Sequence, residues 1–110
     1  MILRNWRAKL NPARFEAYRR FEREQCLPMF RRQPGFLAVL FLRETEDGVA
    51  SLTIWDNKGG VAALTSSPSY GRAARELAES GLLLGEQAEE VFEVEDGYLR
   101  PEALLGALGR

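Results

Sequence analysis

The stretch that decides the fold is Pro34-Gly35-Phe36-Leu37-Ala38-Val39-Leu40-Phe41-Leu42. Pro34 and Gly35 end a helix, because proline cannot continue a helix and glycine accepts the left-handed turn that often follows one. The apolar run 36–42 does not alternate with polar residues, which is typical of a strand buried on both faces. A chain of 110 residues cannot cover both faces with its own helices. We therefore expect helices on one face and a second copy of the chain on the other.

The segments on either side of this strand predict an α+β domain. Residues 2–9 read as a strand, and Asn11-Pro12 is a helix start in which Asn caps and Pro occupies the first helical position. That helix extends to about Gln33, with an apolar stripe formed by Phe15, Tyr18, Cys26, Met29 and Phe30. The other predicted elements are strands over 36–43 and 49–55, helices over 58–65 and 68–80, a loop over 82–86, a strand over 88–95 and a tail helix from Pro101. The order β-α-β-β-α-β is that of the ferredoxin-like fold.

Composition excludes several classes of protein. No apolar run approaches the roughly 18 residues of a membrane span, so no membrane association is expected. The N-terminal residues lack the apolar core of a signal peptide, which predicts a cytoplasmic location. Cys26 is the single cysteine, so no internal disulfide can form, and the chain has no histidine. The absence of histidine removes the commonest metal ligand and the usual general base, and we expect no metal site.

Charge is divided unevenly along the chain. Residues 1–43 carry ten basic and three acidic side chains, whereas residues 44–110 carry five basic and thirteen acidic ones. The simplest interpretation is that the two halves face each other, within the fold or across a dimer. An RNA-binding face is the alternative, but the basic half lacks interleaved exposed aromatics and an RNP-like motif. We therefore expect no nucleic-acid partner.

Three short motifs, taken in order and spacing, resemble those of the antibiotic biosynthesis monooxygenase (ABM) family. They are Pro34-Gly35-Phe36 after the first helix, Trp55 at the end of a strand, and Ser67-Pro68-Ser69-Tyr70 at the start of a helix. The resemblance covers about residues 1–96 and implies a ferredoxin-like βαββαβ domain that forms a dimeric α+β barrel. Residues 97–110 would then be a tail with a short helix that packs on the dimer.

The resemblance also implies a function. The family includes cofactor-independent oxygenases, so the chain is expected to be a monooxygenase that oxidises an aromatic or quinol-like small molecule with O2, without a cofactor. The alternative is a non-catalytic small-molecule-binding barrel. Haem degradation, which also occurs in the family, is disfavoured because the segment 70–75 has no histidine to serve as the axial ligand, and Leu64 stands near the place of the haem-ruffling tryptophan.

The candidate site residues come from the resemblance to the ABM family and from residues whose type is unusual at their position in a strand or helix. Asn5 lies mid-strand, where asparagine is disfavoured, and Glu22 lies on the apolar stripe of the first helix. Glu22 would either pair with Arg4 or Arg7 or act as a general base. The candidate catalytic residues are Asn5, Trp55 and Glu22, with Trp55 equally suited to a place in the core. The candidate substrate-binding residues are Tyr18, Phe15, Phe36, Tyr70, Arg7 and Arg72.

Overall fold

The computed structural model describes residues 1–109. One antiparallel sheet is formed by four strands, which are β1 (Ile2–Leu10), β2 (Phe36–Arg43), β3 (Gly48–Trp55) and β4 (Leu83–Glu93). Their order across the sheet is β2-β3-β1-β4, so β2 and β4 are the edge strands. This topology confirms the predicted α+β, ferredoxin-like βαββαβ architecture.

The helices begin at the predicted capping residues. The side chain of Asn11 accepts a hydrogen bond from the backbone of Ala13, and that of Ser67 accepts one from Tyr70. A 3₁₀ turn (Pro12–Arg14) leads into the first helix, which contains a π-helical segment (Glu22–Cys26). The α-helices are α1 (Phe15–Phe21), α2 (Leu27–Arg31), α3 (Lys58–Thr65), α4 (Pro68–Glu79) and α5 (Pro101–Ala107). The first helix ends before Gly35, which adopts the left-handed conformation with φ of 76°.

The two faces of the sheet differ in burial. The face that the helices cover carries buried side chains from both central strands, namely Ile2, Arg4, Ala8, Leu10, Val49, Ser51, Thr53 and Trp55. The opposite face, called here the open face, carries Leu3, Asn5, Leu52, Ile54 and Phe92 according to strand register. Phe92 is 51% exposed. The apolar core therefore lies between the helices and one face of the sheet.

Strand β2 departs from the prediction of burial on both faces. Within one chain it is an edge strand, and Leu37 and Leu42 are 53% and 40% exposed. Leu42 pairs with Ala50 and so lies on the open face, which the helices do not cover. Cover for the open face by a second copy of the chain remains a prediction.

Strand β4 begins earlier than the sequence predicts. The loop expected over 82–86 was wrong, and the strand expected over 88–95 is confirmed over 88–93 but begins earlier, because β4 runs from Leu83 to Glu93. Gly85, with φ of 78°, lies in an irregular stretch opposite Arg7 and Lys9, where the register with β1 shifts. A glycine that suggests a loop is here part of a β-bulge within the strand.

Ion pairs join three basic residues of β1 to the acidic half of the chain, as the charge division predicts for this strand. Among residues 1–109, the ion pairs are Arg4–Glu89 at 2.9 Å, Arg7–Glu90 at 3.3 Å and Lys9–Asp47 at 3.4 Å. Each joins β1 to the acidic half of the chain. The charge division thus reflects how β1 lies between its neighbouring strands.

The tail leaves its apolar side chains uncovered. Helix α5 has no buried residue, and Leu104, Leu105 and Leu108 are 40%, 52% and 48% exposed. The predicted packing of this tail on a second copy remains a prediction. Within the described part of the chain, no helix has the length and apolarity needed to cross a membrane.

Candidate functional site

A small cavity lies between the helices and the covered face of the sheet. Its volume is about 90 Å³. Its lining residues come from β1, the first helix, β3, α4 and β4, and comprise Arg4, Trp6, Tyr18, Phe21, Cys26, Met29, Phe30, Ser51, Tyr70, Ala73, Ala74, Leu77 and Gln87. Aromatic and aliphatic side chains with a few polar groups are the usual lining of a small-molecule site.

Arg4 supplies the positive charge of this cavity. Its side chain is 2% exposed, and its Nε donates a hydrogen bond to Glu89 at 2.9 Å. Its Nη2 donates to the hydroxyl oxygen of Tyr70 at 3.0 Å. Because the Tyr70 oxygen is the acceptor in this bond, its own hydrogen remains available for donation to a bound molecule. Tyr70 can therefore donate a hydrogen bond to a ligand while its oxygen accepts one from the buried guanidinium of Arg4.

Gln87 adds a second polar group. Its Oε1 accepts a hydrogen bond from the indole Nε1 of Trp6 at 2.8 Å. This contact fixes the orientation of the amide and leaves its NH2 group free to donate a hydrogen bond to a ligand. Arg4, Trp6 and Gln87 are site residues that sequence reasoning missed. The signal for the first two was the alternation of Ile2, Arg4 and Trp6 along β1, which places an arginine on the core face of the strand.

Tyr18 and Cys26 form the helical wall of the cavity. Burial raises the pKa of the Cys26 thiol to about 12, with a smaller contribution from the nearby charge of Glu22. Burial also raises the pKa of the Tyr18 hydroxyl well above its ordinary value, with Glu22 again contributing. Both groups therefore stay protonated and neutral at physiological pH.

Glu22 lies one helical turn from each of these residues and faces a second space. This space, called here the arginine groove, runs between the first helix and β2 and has a volume of about 740 Å³. Glu22 is 7% exposed, and burial raises its pKa from 4.5 to about 7, against the opposing effect of Arg19 and Arg23. A carboxyl group with a pKa near 7 can accept or release a proton at physiological pH.

The predicted pairing of Glu22 with Arg4 or Arg7 was wrong. Arg4 pairs with Glu89 and Arg7 with Glu90, and Glu22 makes no ion pair within residues 1–109. Both arginines belong to β1, where the acidic strand β4 is their immediate neighbour. Glu22 also opens the π-helical segment, a distortion that is frequent at functional sites.

Trp55 and Phe36 lie in the apolar core. Trp55 is fully buried, and its ring makes edge contacts with those of Phe30 and Phe36. Its Nε1 donates a hydrogen bond to Thr53 at 2.8 Å. Neither Trp55 nor Phe36 lines the cavity or the arginine groove.

The remaining candidates divide between separate surfaces. Asn5 and Arg7 lie on the open face, where the Asn5 Oδ1 is buried without a hydrogen-bond partner in residues 1–109. Arg72 is exposed on α4. The structure brings Tyr18 together with Tyr70 in the cavity, and Phe15 together with Glu22 in the groove. Residues 1–109 contain no cluster of three or more His, Cys, Asp or Glu side chains that could hold a metal ion.

Solved structures resemble this arrangement of strands and helices. A candidate antibiotic biosynthesis monooxygenase from Deinococcus radiodurans superposes with a TM-score of 0.76 at 14% identity, over 91% of this chain and 98% of that one. SnoaB, a cofactor-independent oxygenase from Streptomyces nogalater, has a TM-score of 0.69 at 20% identity, over 87% and 94%. The chain has the antibiotic biosynthesis monooxygenase fold.

Other proteins share the ABM fold without a known activity. NE2512 from Nitrosomonas europaea, a protein of unknown function, has a TM-score of 0.74 at 17% identity, over 90% of this chain and 93% of that one. No protein-family profile and no curated protein matches the sequence. At these identities the comparison establishes the ABM fold, and a function must be argued from the site.

Proposed function

We propose that this protein belongs to the ABM family and is a cofactor-independent monooxygenase that oxidises an aromatic, quinol-like small molecule with O2. The observation that carries the proposal is the Arg4–Tyr70 pair, a buried guanidinium that donates to a phenol in an otherwise largely apolar cavity. Positive charge and a hydrogen-bond donor in a dry site stabilise an organic anion. The fold of SnoaB, itself a cofactor-independent oxygenase, supports the same assignment.

The chemistry places specific demands on these groups. The substrate loses a proton, and its anion passes one electron to O2. The resulting radical pair combines to a peroxide, which loses water and leaves a new carbonyl group. One oxygen atom of O2 thus enters the product, and the other leaves as water with two hydrogens of the substrate. Arg4 and Tyr70 would stabilise the substrate anion, and Trp6 and Phe30 would flank its rings.

Glu22 is proposed as the group that accepts the substrate proton. Among the carboxyl groups of residues 1–109, it is the one whose pKa is raised, to about 7. Glu22 lines the arginine groove, whereas Tyr18 and Cys26, one turn before and after it, line the cavity. The substrate proton would therefore have to be relayed to Glu22 across the helical wall that separates the two spaces.

A fused-ring substrate must widen the cavity. A dry cavity of about 150 Å³ accommodates benzene, whereas the present volume is about 90 Å³. Met29, which lines the cavity, is the side chain best suited to yield, because methionine is unbranched and adaptable. We expect ligand binding to change the conformation of Met29.

The test is a pair of matched tyrosine variants. Tyr70→Phe removes only the hydroxyl that Arg4 holds in the cavity, whereas Tyr98→Phe removes one from a residue that is 87% exposed. We expect Tyr70→Phe to lower kcat for quinol oxidation by about 10–100-fold, with a melting temperature close to that of the wild type. Equal turnover in the two variants would contradict the proposal.

A non-catalytic binder is the second candidate. It is favoured by the positions of Trp55, which is in the core, and Asn5, which is on the face of the sheet away from the cavity. Such a protein would bind aromatic molecules in the cavity, and Tyr70→Phe would weaken their binding, but no O2 would be consumed.

We also propose that the chain forms a homodimer through the open face. This face carries Leu3, Leu52 and Ile54 and the unpartnered Oδ1 of Asn5, and the exposed leucines of α5 lie outside the core. A stable dimer of this kind buries on the order of 2,000 Å² or more. Light scattering at micromolar concentration should give twice the chain mass of 12.4 kDa, and a monomer would refute the proposal.

A further inference from the structure

The arginine groove has an apolar floor and a basic rim. The apolar lining comes from the first helix, β2, β3 and the end of α5, and includes Phe15, Leu27, Val39, Phe41, Val49 and Leu108. The rim carries Arg19, Arg23, Arg31 and Arg43, and Glu22 is the one acidic residue in the lining. The volume of about 740 Å³ falls within the range of small-molecule sites.

The rim arginines differ in their contacts, and the guanidinium carbon of Arg19 lies 6.0 Å from the centre of the Phe15 ring. Arg19, Arg23 and Arg31 make no ion pair and no side-chain hydrogen bond to any of residues 1–109. Arg43 is engaged, since its guanidinium carbon lies 3.6 Å from the centre of the Phe15 ring and its nitrogens donate to backbone carbonyls of the next turn. The groove therefore presents guanidinium groups that remain available to a ligand.

The groove arginines are regularly spaced along the first helix. Arg19, Arg23, Leu27 and Arg31 recur every four residues, so they lie along one side of the first helix. Arg19 and Arg23 are the one like-charge pair of this row four residues apart, and such a pair destabilises a helix by a few tenths of a kcal/mol. An anionic ligand near this pair would offset that cost.

We propose that the arginine groove binds an amphipathic anion, a carboxylate or phosphate monoester attached to an apolar chain or ring. Guanidinium groups recognise both kinds of anion through paired hydrogen bonds. The acidic group would lie against Arg23 and Arg31 at the rim, and the apolar body would cover the floor beside Phe41 and Val49. The inference does not rest on the proposed oxygenase activity, because the groove and the cavity have different linings.

The experiment is a calorimetric titration of the full chain with decanoate, compared with decanamide, which has the same apolar chain but no charge. The variants are Arg23→Gln and Arg31→Gln. The matched control is Arg20→Gln, because Arg20 is exposed on the same helix but does not line the groove. Both ligands are used below their aggregation concentrations.

We expect decanoate to bind more tightly than decanamide, and each groove variant to weaken decanoate binding about fivefold, as for partly exposed charge contacts. Decanoate binding should also weaken as ionic strength rises, and Arg20→Gln should bind like the wild type. Equal binding of the two ligands, or an equal loss in Arg20→Gln, would overturn the proposal. A third outcome would also overturn the proposal. If the wild type binds neither ligand, and Arg23→Gln or Arg31→Gln changes the association state in light scattering, the groove holds a second copy of the chain.

Discussion

Glu22→Gln tests the physical basis of the candidate base. The variant keeps the shape of the side chain but removes its ionisation. The pKa of Glu22 is raised from 4.5 to about 7 in the folded chain, so the folded state holds its proton more tightly than the unfolded state does. The resulting stabilisation is complete below the unfolded pKa and is lost as pH rises through the folded pKa.

The magnitude follows from the size of this shift. Each pKa unit corresponds to about 1.4 kcal/mol, so the wild type should lose about 3 kcal/mol of stability between pH 4 and pH 8 relative to Glu22→Gln. The variant should therefore be the more stable protein at pH 8, and the two should be close at pH 4.

Urea unfolding at a series of pH values measures the effect. Tryptophan fluorescence reports unfolding, because the indole of Trp55, one of two tryptophans, is fully buried in the native chain. Glu24→Gln, at an exposed position two residues along the same helix, controls for the loss of a carboxyl group. A difference between Glu22→Gln and the wild type that does not change with pH would refute the reasoning. If Glu22 is also the base, kcat/KM of the wild type should rise with pH through about 7, and the variant should lose this limb.

Two further predictions concern the packing around the site. Gly71→Ala should stabilise the chain by about 0.5–1 kcal/mol, because an added Cβ meets nothing within 4 Å and alanine favours the helical conformation of α4. Gly60→Ala should destabilise the chain, because the added Cβ would lie 3.1 Å from both the Pro34 carbonyl oxygen and the Trp55 ring. The melting temperatures of the two variants should therefore shift in opposite directions. Cys26, with a pKa near 12, should react with a thiol reagent at pH 8 far more slowly in the native chain than in urea, and equal rates would show that the thiol is not shielded.

Much of the fold could be predicted from local sequence signals. Pro34-Gly35 ended the first helix, Asn11 and Ser67 capped helices, and the apolar stripe of the first helix became part of the core. These features depend on neighbouring residues alone, so one sequence suffices to predict them. The start of β4 was missed because Gly85 signals a loop, whereas pairing with β1 holds it in a bulge.

The candidate site was less predictable, because it depends on contacts between distant segments. Strand pairing and the packing of α4 on the sheet bring together Arg4, Tyr70 and Glu89. No local sequence signal indicates that contact. Glu89 lies within the predicted strand 88–95, but its pairing with Arg4 depends on the register between β1 and β4, which the sequence alone does not give. Trp55 illustrates the converse, since a tryptophan at a strand end suits a core and a ligand wall equally well, and only its burial shows that it lies in the core.

The cavity behind Arg4 and Tyr70 is proposed to support oxidation by O2 without a cofactor. The most direct measurement is O2 uptake by the chelator-treated chain with a panel of hydroquinones, naphthols and anthrones, using isotopically labelled O2. We expect uptake with one labelled oxygen atom in the product and a rate that falls about 10–100-fold in Tyr70→Phe but not in Tyr98→Phe. A panel with no uptake above the protein-free rate, or uptake that Tyr70→Phe leaves unchanged, would contradict it.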